Sequence, residues 1–167
     1  CYAGQAWEWD GVRFEMLHPP RASYDEPAWK DNDRSCVLRM VTRSGRRILL
    51  PGDIEMRGEQ LLAAQHRDAL AAEVLVVPHQ GSKTSSSTEF VQAVSPQVTI
   101  FPVGHRNRFG HPHQDVLERY RGSGSRIYRT DRDGALMLYV NEAGEMAVTS
   151  QRKLYRRYWH DRRRVAE

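Results

Sequence analysis

Short apolar runs bounded by Gly, Pro or charged residues alternate along the chain with segments of helical spacing. Apolar and polar residues alternate on both sides of Asp10-Gly11, a dipeptide typical of a tight hairpin turn. We predict a hairpin over 5–17 and strands at 35–42, 48–50, 73–77, 97–103, 126–129, 135–140 and 146–150. Helices are predicted over 55–66, from 87 or 88 to 94, and over 113–120.

The order of these elements indicates the architecture. Strands come first, a β-α-β-α-β segment follows, and a hairpin turning at 141–144 comes last. The run at 73–77 is nearly continuously apolar, which predicts a strand buried on both faces. Residues 18–34 are rich in Pro and Asp and are predicted to form a loop. The chain therefore reads as an α/β (α+β) fold, with helices packed outside two sheets.

Length and composition bound the possibilities. The 167 residues suffice for one domain or part of one, and 40% are apolar, enough for a real core. The chain begins Cys-Tyr-Ala-Gly rather than with Met, so we interpret it as the interior of a longer protein. No apolar run approaches the roughly 18 residues that a membrane helix needs, and no signal peptide is visible. We expect a soluble domain.

Charge is concentrated at the end of the chain. The net charge is +4, and residues 151–167 hold much of the excess. Basic residues interleaved with Tyr155, Tyr158 and Trp159 would bind phosphates and stack on bases. We favour the plainer interpretation, a solvated basic tail that is helical or disordered. The predicted organisation is a partial domain over 1–150, followed by this tail over 151–167.

Three polar clusters follow the predicted strands or open a helix. Asp53 comes directly after a strand and Gly52, where its carboxylate would bridge two metal ions or would simply cap the next helix. His79 opens a loop in which Ser82, Lys83 and Thr84 offer groups that bind phosphate. His79 would ligate a metal, act as a general acid, or be a structural His in a surface turn.

A third cluster lies at 105–113. His111 stands between Gly110 and a Pro that restricts its backbone, which suits a ligand that must point to a fixed spot. His105 and Arg106 would face substrate, and we expect His113 to be exposed. The other three histidines have no supporting context and are predicted to lie on the surface; they are His18, His66 and His160. Cys1 and Cys36 lack metal-site spacing and are either buried thiols or one disulfide.

The order of these motifs resembles that of the C-terminal part of the ComEC family, the channel proteins of DNA uptake in natural competence. The motifs are Trp7-x-Trp9-Asp10-Gly11-Val12-x-Phe14-x-x-Leu17-x-Pro19, Ser35-Cys36-Val37-Leu38, Leu49-Leu50-Pro51-Gly52-Asp53-Ile54-Glu55, Val77-Pro78-His79-Gln80-Gly81-Ser82-Lys83-Thr84-Ser85-Ser86 and Val103-Gly104-x-x-Asn107-x-Phe109-Gly110-His111-Pro112. The resemblance covers roughly 1–150. It implies the second half of a metallo-β-lactamase αββα sandwich, with mixed sheets and flanking helices.

The resemblance also implies site residues. Asp53 and His111 match metal ligands of that superfamily, and His79 matches the first His of its usual His-His-Gly-Ser, near the scissile phosphate. Ser82, Lys83, Thr84 and Asn107 would contact substrate. Two divalent ions, Mn²⁺ or Zn²⁺, are expected, with most ligands absent because no His-x-His-x-Asp-His motif occurs here. Gln80 stands where the second His is usual, and Gln replaces a basic imidazole poorly.

The expected function is that of a nuclease domain which degrades the non-transported DNA strand. By resemblance, it belongs to a bacterial inner-membrane protein, on the extracytoplasmic side, where a Cys1–Cys36 disulfide becomes plausible. The expected partners are DNA, bound without sequence preference, and the transmembrane channel part of the same polypeptide. The rivals are a hydrolase of a small phosphodiester, thioester or lactone, and a non-catalytic DNA-binding module. We expect the chain alone to expose apolar sheet surface, to hold metal weakly and to be inactive.

Overall fold

The computed structural model describes residues 1–155 and 157. Within that part of the chain, the strands form one sheet of seven strands and one of two. The strands are β1 (Ala6–Trp9), β2 (Val12–His18), β3 (Val37–Val41), β4 (Arg47–Leu50), β5 (Val74–Val76), β6 (Val98–Phe101), β7 (Arg126–Arg129), β8 (Leu136–Val140) and β9 (Met146–Ser150). The helices are α1 (Met56–Gln65), α2 (Arg67–Leu70), α3 (Thr88–Val94), α4 (Gln114–Gly122), α5 (Thr130–Asp133) and α6 (Gln151–Leu154).

The large sheet is mixed, and its strands are ordered as they are in sequence. Strands β1 to β4 are antiparallel neighbours, whereas β4 to β7 are parallel. Helical segments connect the parallel strands, as such crossovers require. The order of elements along the chain, strands first and then a β-α-β-α-β segment and a hairpin, is the one that the apolar pattern predicts. The carboxyl ends of β4, β5 and β6 consequently meet at one edge of the sheet.

One face of the large sheet is covered by helices. Leu49, Leu75 and Phe101 from the strands pack in one apolar cluster with Phe90 of α3 and Tyr120 of α4. The rings of Phe101 and Tyr120 meet edge to face, with centroids 5.6 Å apart. Helix α3 begins where predicted, because the Ser87 side chain accepts a hydrogen bond from the backbone of Phe90.

The β8–β9 hairpin covers the opposite face. Ile48, Val74 and Val98 are buried there against Leu138 and Val148. Val74 thus points to this face while its neighbour Leu75 points to the helices, so the strand is buried on both faces as predicted. The mixed α/β fold is confirmed: a helix layer, a seven-stranded sheet and a two-stranded sheet, which correspond to three layers of an αββα sandwich.

The segment 18–34 and the histidines near it depart from expectation. The segment contains two 3₁₀ turns, Arg21–Asp25 and Asn32–Arg34. His18, predicted on the surface, is only 2% exposed, and its Nε2 lies 2.7 Å from the carbonyl oxygen of Asp33. A shift in register between Met16 and His18 explains this, because it breaks the alternation of side chains and buries Leu17 and His18 together.

Two other surface predictions have different outcomes. His66, predicted to lie on the surface, is half-buried at the junction of α1 and α2. His160, Tyr158 and Trp159 lie outside the described residues. Of the basic tail, the structure describes a short helix, α6, that begins with a hydrogen bond from the backbone of Lys153 to the Ser150 hydroxyl.

A disulfide joins Cys1 to Cys36, with their Cα atoms 6.0 Å apart. Of the two alternatives open from the sequence, the bonded pair is the one in the structure. The bond ties the first residue of the chain to the residue before β3. In the described part of the chain, every helix is too short or too polar to cross a membrane.

Candidate active site

Three loops meet at the edge where the parallel strands end. The backbone N–H of His79, after β5, donates a hydrogen bond of 3.0 Å to the carbonyl of Gly52, after β4. The ring of His79 lies 6.0 Å, centroid to centroid, from that of His111, which follows β6. The fold therefore brings together the polar clusters that the sequence singles out, as expected for ends of adjacent parallel strands.

Asp53 is presented by a tight turn. Gly52 has a φ of 59°, and a Cβ there would lie 3.1 Å from the Cβ of Ser35, so a larger residue would be crowded. The Ser35 hydroxyl accepts a hydrogen bond of 3.1 Å from the backbone N–H of Asp53. The Asp53 side chain is exposed. Helix α1 is capped at Glu55 rather than at Asp53, so the helix-cap interpretation of Asp53 is wrong.

The backbone of the His79 loop is held in an uncommon conformation. His79 and Gln80 both have positive φ, 48° and 54°, which non-glycine residues rarely adopt and which costs free energy. Gly81 follows at φ 82°, where a Cβ would lie 2.8 Å from Pro112 and 2.9 Å from the ring of Phe101. The loop is thus pressed against the segment that carries His111, and both histidines have fixed positions.

Glu55 joins the site although sequence reasoning gave it no role. Its Oε1 lies 3.4 Å from Nδ1 of His79 and accepts a hydrogen bond of 3.0 Å from the Thr84 hydroxyl. The Ser82 hydroxyl lies 3.0 Å from that of Thr84, which extends the chain of polar groups. Nδ1 of His79 is buried and has no hydrogen-bond partner among the described residues, and the Glu55 carboxylate lies 3.4 Å away, at ion-pair distance only. A second carboxylate two residues after Asp53 was the available signal.

The side-chain amide of Asn107 holds the backbone of His111 with two hydrogen bonds. The Asn107 Nδ2 donates to the carbonyl of His111 at 2.8 Å, and Oδ1 accepts from its N–H at 2.9 Å. Partial burial lowers the pKa of His111 below its ordinary value, and His79 and His113 lower it further, whereas the charge of Asp53 raises it. A neutral imidazole is the form that binds a metal.

The remaining candidates lie around this centre. His113 is half-exposed rather than fully exposed, and its backbone N–H donates to the carbonyl of Gly81 at 2.8 Å. Lys83 is exposed, as are His105 and Arg106 in the loop before His111. These positions leave the cationic side chains at the rim, where they are accessible to a polyanion.

A buried carboxylate that sequence reasoning missed anchors the far end of the His79 loop. Glu59 of α1 is fully buried and accepts hydrogen bonds from the backbone N–H groups of Ser86 and Ser87. Burial raises the pKa of Glu59, and the bonds from Ser87 and Ser86 and the charge of Arg119 oppose that rise. The sequence analysis placed Glu59 within a predicted helix and gave it no role.

The described side chains at this edge supply ligand atoms for only part of a metal coordination shell. Asp53 and His111 have suitable chemistry, a carboxylate and an imidazole of lowered pKa. No group of three His, Cys, Asp or Glu side chains converges closely enough to hold an ion among residues 1–155 and 157. The described residues therefore do not form a complete site by themselves.

An apolar cleft of about 440 Å³ adjoins Asp53 on the same sheet face as the hairpin, in the part of that face that the hairpin does not cover. Its walls are Met16, Leu38, Leu50 and Val76, and Gln80 lines it at the loop. Further along this face, Trp7 and Trp9 of β1 are 44% and 74% exposed. The exposed apolar sheet surface that the sequence predicts is therefore present.

Two competence proteins are similar in sequence to most of this chain. Competence protein ComA of Neisseria gonorrhoeae is 41% identical over 159 residues, which cover 94% of this chain and 22% of that protein. ComE operon protein 3 of Bacillus subtilis is 38% identical, with 82% of this chain and 17% of that protein covered. This chain belongs to the ComEC family. It spans about a fifth of the length of these relatives.

Other comparisons are less informative. The uncharacterized protein YcaI of Escherichia coli is 32% identical over 96% of this ComEC-family chain and 21% of its own length. No protein-family model matches the chain. Igni18, a metallo hydrolase from Ignicoccus hospitalis, superimposes with a TM-score of 0.47 and 15% identity over 90% of this chain and 60% of its own. These values are too low to carry an argument about activity.

The five ComEC motifs have distinct places in the fold. The first forms the β1–β2 hairpin and the second leads into β3, with Cys36 in the disulfide. The other three end in the loops after β4, β5 and β6, and these loops supply Asp53, His79 and His111. The motifs of the ComEC family are therefore concentrated at the edge that forms the candidate site.

Proposed function

We propose that this chain is part of a metal-dependent DNA nuclease domain in a competence DNA-uptake channel protein, where it degrades the non-transported strand. One observation carries the proposal. In a segment homologous to competence proteins, Asp53, His79 and His111 are delivered to one sheet edge by loops of constrained backbone. Such convergence of a carboxylate with imidazoles suits hydrolysis of a phosphodiester.

The proposed cofactors are two divalent ions, Mn²⁺ or Zn²⁺, which Asp53 and His111 would help to hold. The other ligands would come from the rest of the polypeptide, since the described residues supply only part of a shell. Bound divalent ions would neutralise phosphate charge and make a water molecule more acidic.

His79 is proposed as the general acid. With Nδ1 directed at the Glu55 carboxylate 3.4 Å away, Nε2 is the nitrogen left to face a leaving oxygen. In this proposal the Glu55 carboxylate orients the ring of His79, and Nε2 gives its proton to the departing oxygen. Glu55 is therefore a positioning residue in this mechanism.

The proposed substrate contacts are made by Lys83, Ser82, Thr84 and Asn107. Lys83 is exposed and would bind a phosphate oxygen as a point charge. The hydroxyls of Ser82 and Thr84 already bond to each other, and that of Thr84 also donates to Glu55, so they serve two tasks in this proposal. Asn107 is half-buried, and its side-chain amide also holds the backbone of His111.

The proposed context is a bacterial inner-membrane protein with this domain on its extracytoplasmic side. The Cys1–Cys36 disulfide supports that side, because disulfides persist in oxidising compartments and are rare in the cytosol. The proposed partners are DNA and the transmembrane channel part of the same polypeptide. The backbone phosphates of DNA would be recognised without regard to sequence.

A second candidate is a non-catalytic DNA-binding module, and Gln80 favours it. Gln80 lines the cleft beside Asp53, at the position where the family usually has a second His. A Gln donates a hydrogen bond to a phosphate oxygen but does not transfer a proton. Binding requires only charge and shape, whereas catalysis requires ionisable groups.

One experiment separates these functions and the small-substrate rival. The full-length polypeptide that contains this chain is incubated with Mn²⁺ and with labelled linear DNA, a nitrophenyl phosphodiester, a thioester or a lactone, and DNA affinity is measured separately. We expect cleavage of DNA in preference to the small substrates. DNA binding without cleavage would favour the binding module. Rapid turnover of a thioester or lactone without DNA cleavage would overturn the nuclease proposal.

A further inference from the structure

The loop from 104 to 110 presents an aromatic ring to solvent beside the candidate site. Phe109 is 67% exposed, and its ring stacks on that of His111 with 5.9 Å between centroids and 20° between planes. A single exposed apolar side chain is common on protein surfaces, but this ring lies directly beside a proposed ligand. The ring lies where a substrate bound at the candidate site would contact it.

The surroundings of this ring are cationic. The guanidinium of Arg108 lies over Phe109, with Cζ 5.0 Å from the ring centroid. His105 and Arg106 are exposed in the same loop. No Asp or Glu occurs between 104 and 114. The loop therefore combines an exposed aromatic ring with positive charge, the pairing that proteins use for single-stranded nucleic acid.

We propose that Phe109 is a stacking platform for an unpaired nucleobase next to the phosphate that is cleaved. The inference rests on the proposed nuclease function and adds the form of its substrate. A base reaches the face of an aromatic side chain only after it leaves its own stack, so the strand at this site is single-stranded or a frayed end. Arg108, which lies over the ring in this structure, would move aside and hold a flanking phosphate, and every base suffices because each has a π-face.

If Phe109 only packed against His111 and did not contact DNA, its role would be to hold the imidazole ring in position, as a prop. The two roles differ in what they require of DNA. A stacking platform requires a base on the bound nucleotide, whereas a prop acts equally on DNA with or without bases. Abasic DNA therefore distinguishes them.

The test measures binding of a fluorescent single-stranded oligonucleotide, and of the same oligonucleotide with consecutive abasic sites, by the full-length polypeptide. We expect Phe109→Ala to weaken binding of the normal oligonucleotide about tenfold or more. Phe109→Trp should retain affinity because indole also stacks. Tyr139→Ala is the matched control, since Tyr139 is a ring 54% exposed on the β8–β9 hairpin, and it should change nothing. Abasic DNA should bind equally to the wild type and to Phe109→Ala.

The opposite results would overturn the proposal. Unchanged affinity in Phe109→Ala, or an equal loss on normal and abasic DNA, would exclude base stacking. Failure of the nuclease function has a separate signature, which is base-dependent binding through Phe109 without cleavage of the bound strand. A preference of the wild type for intact duplex over single strands would also contradict the inference.

Discussion

Nδ1 of His79 lies 3.4 Å from Oε1 of Glu55, and the same oxygen accepts a hydrogen bond from the Thr84 hydroxyl. Two residues of one loop are therefore tied to one carboxylate at the start of α1. The carboxylate follows Asp53 by two residues, so a single turn supplies both a proposed metal ligand and the group that orients the proposed acid. This turn therefore connects the proposed metal site with the proposed general acid.

Replacing Glu55 by Gln tests that link. The amide keeps the size of the side chain and an acceptor for Thr84, but it removes the negative charge beside His79. We expect the maximal rate of DNA cleavage to fall about 10- to 100-fold, the usual effect of removing such a partner. The KM for DNA should change little, because Glu55 is not proposed to touch the substrate.

The matched control for this variant is Glu89→Gln, which removes an exposed carboxylate from the first turn of α3. It should retain the wild-type rate. A Glu55→Gln protein with an unchanged maximal rate, or one whose only change is a higher KM, would refute the positioning role.

Asn107→Ala should loosen His111. The variant loses two hydrogen bonds to the backbone of that residue, each worth about 1 kcal/mol of stability. We expect a drop in the free energy of unfolding of about 1–2 kcal/mol and a larger relative loss of activity. Urea unfolding and cleavage rates measure the two effects. Activity that falls only in proportion to the folded fraction would contradict a role at the site.

The disulfide should stabilise the fold. Cys1 and Cys36 are separated by 35 residues, and in the chain-entropy model closing such a loop contributes about 3–4 kcal/mol. We expect reductant to lower the urea midpoint of the native protein, whereas a protein with Ser at both positions should be insensitive to reductant. A count of two free thiols in the native protein would show that the bond does not form.

His18 should make stability depend on pH. Burial lowers its pKa in the folded state, with a further decrease from His66, and the carbonyl and charge of Asp33 oppose the decrease. A lowered folded pKa means that stability is complete above the unfolded value of 6.5 and is lost as pH falls through the lower folded pKa. The urea midpoint should therefore drop on acidification.

His18→Gln supplies the comparison, because Gln retains a donor for the Asp33 carbonyl without titrating in this range. Its midpoint should depend less steeply on pH below about 6.5 than that of the wild type. Parallel pH profiles for the two proteins would remove His18 as the source of the effect.

Much of the fold follows from the sequence because its signals are local. Val74 and Leu75 lie in a continuous apolar run, which predicts a strand with two buried faces, and the Ser87 cap predicts the start of α3. Parallel strands place their carboxyl ends together, so the meeting of Asp53, His79 and His111 could be predicted as well.

The residues that the sequence misses depend on contacts between distant segments. The sequence gives Glu59 no role beyond a place in a predicted helix, and its buried carboxylate accepts hydrogen bonds from Ser86 and Ser87, some 27 residues away. His18 is buried by a shift in strand register that no local pattern encodes. Glu55 belongs to the quoted motifs, yet its role depends on the positive φ that brings His79 to it.

The central claim is that the edge carrying Asp53 hydrolyses DNA. The most direct test is the rate of Mn²⁺-dependent cleavage of labelled linear DNA by the full-length polypeptide, its Asp53→Ala variant, and Asp115→Ala as an exposed control in α4. We predict cleavage by the wild type and the control, and loss of at least about 100-fold in Asp53→Ala with DNA affinity retained. Equal cleavage with and without the Asp53 carboxylate would contradict the account.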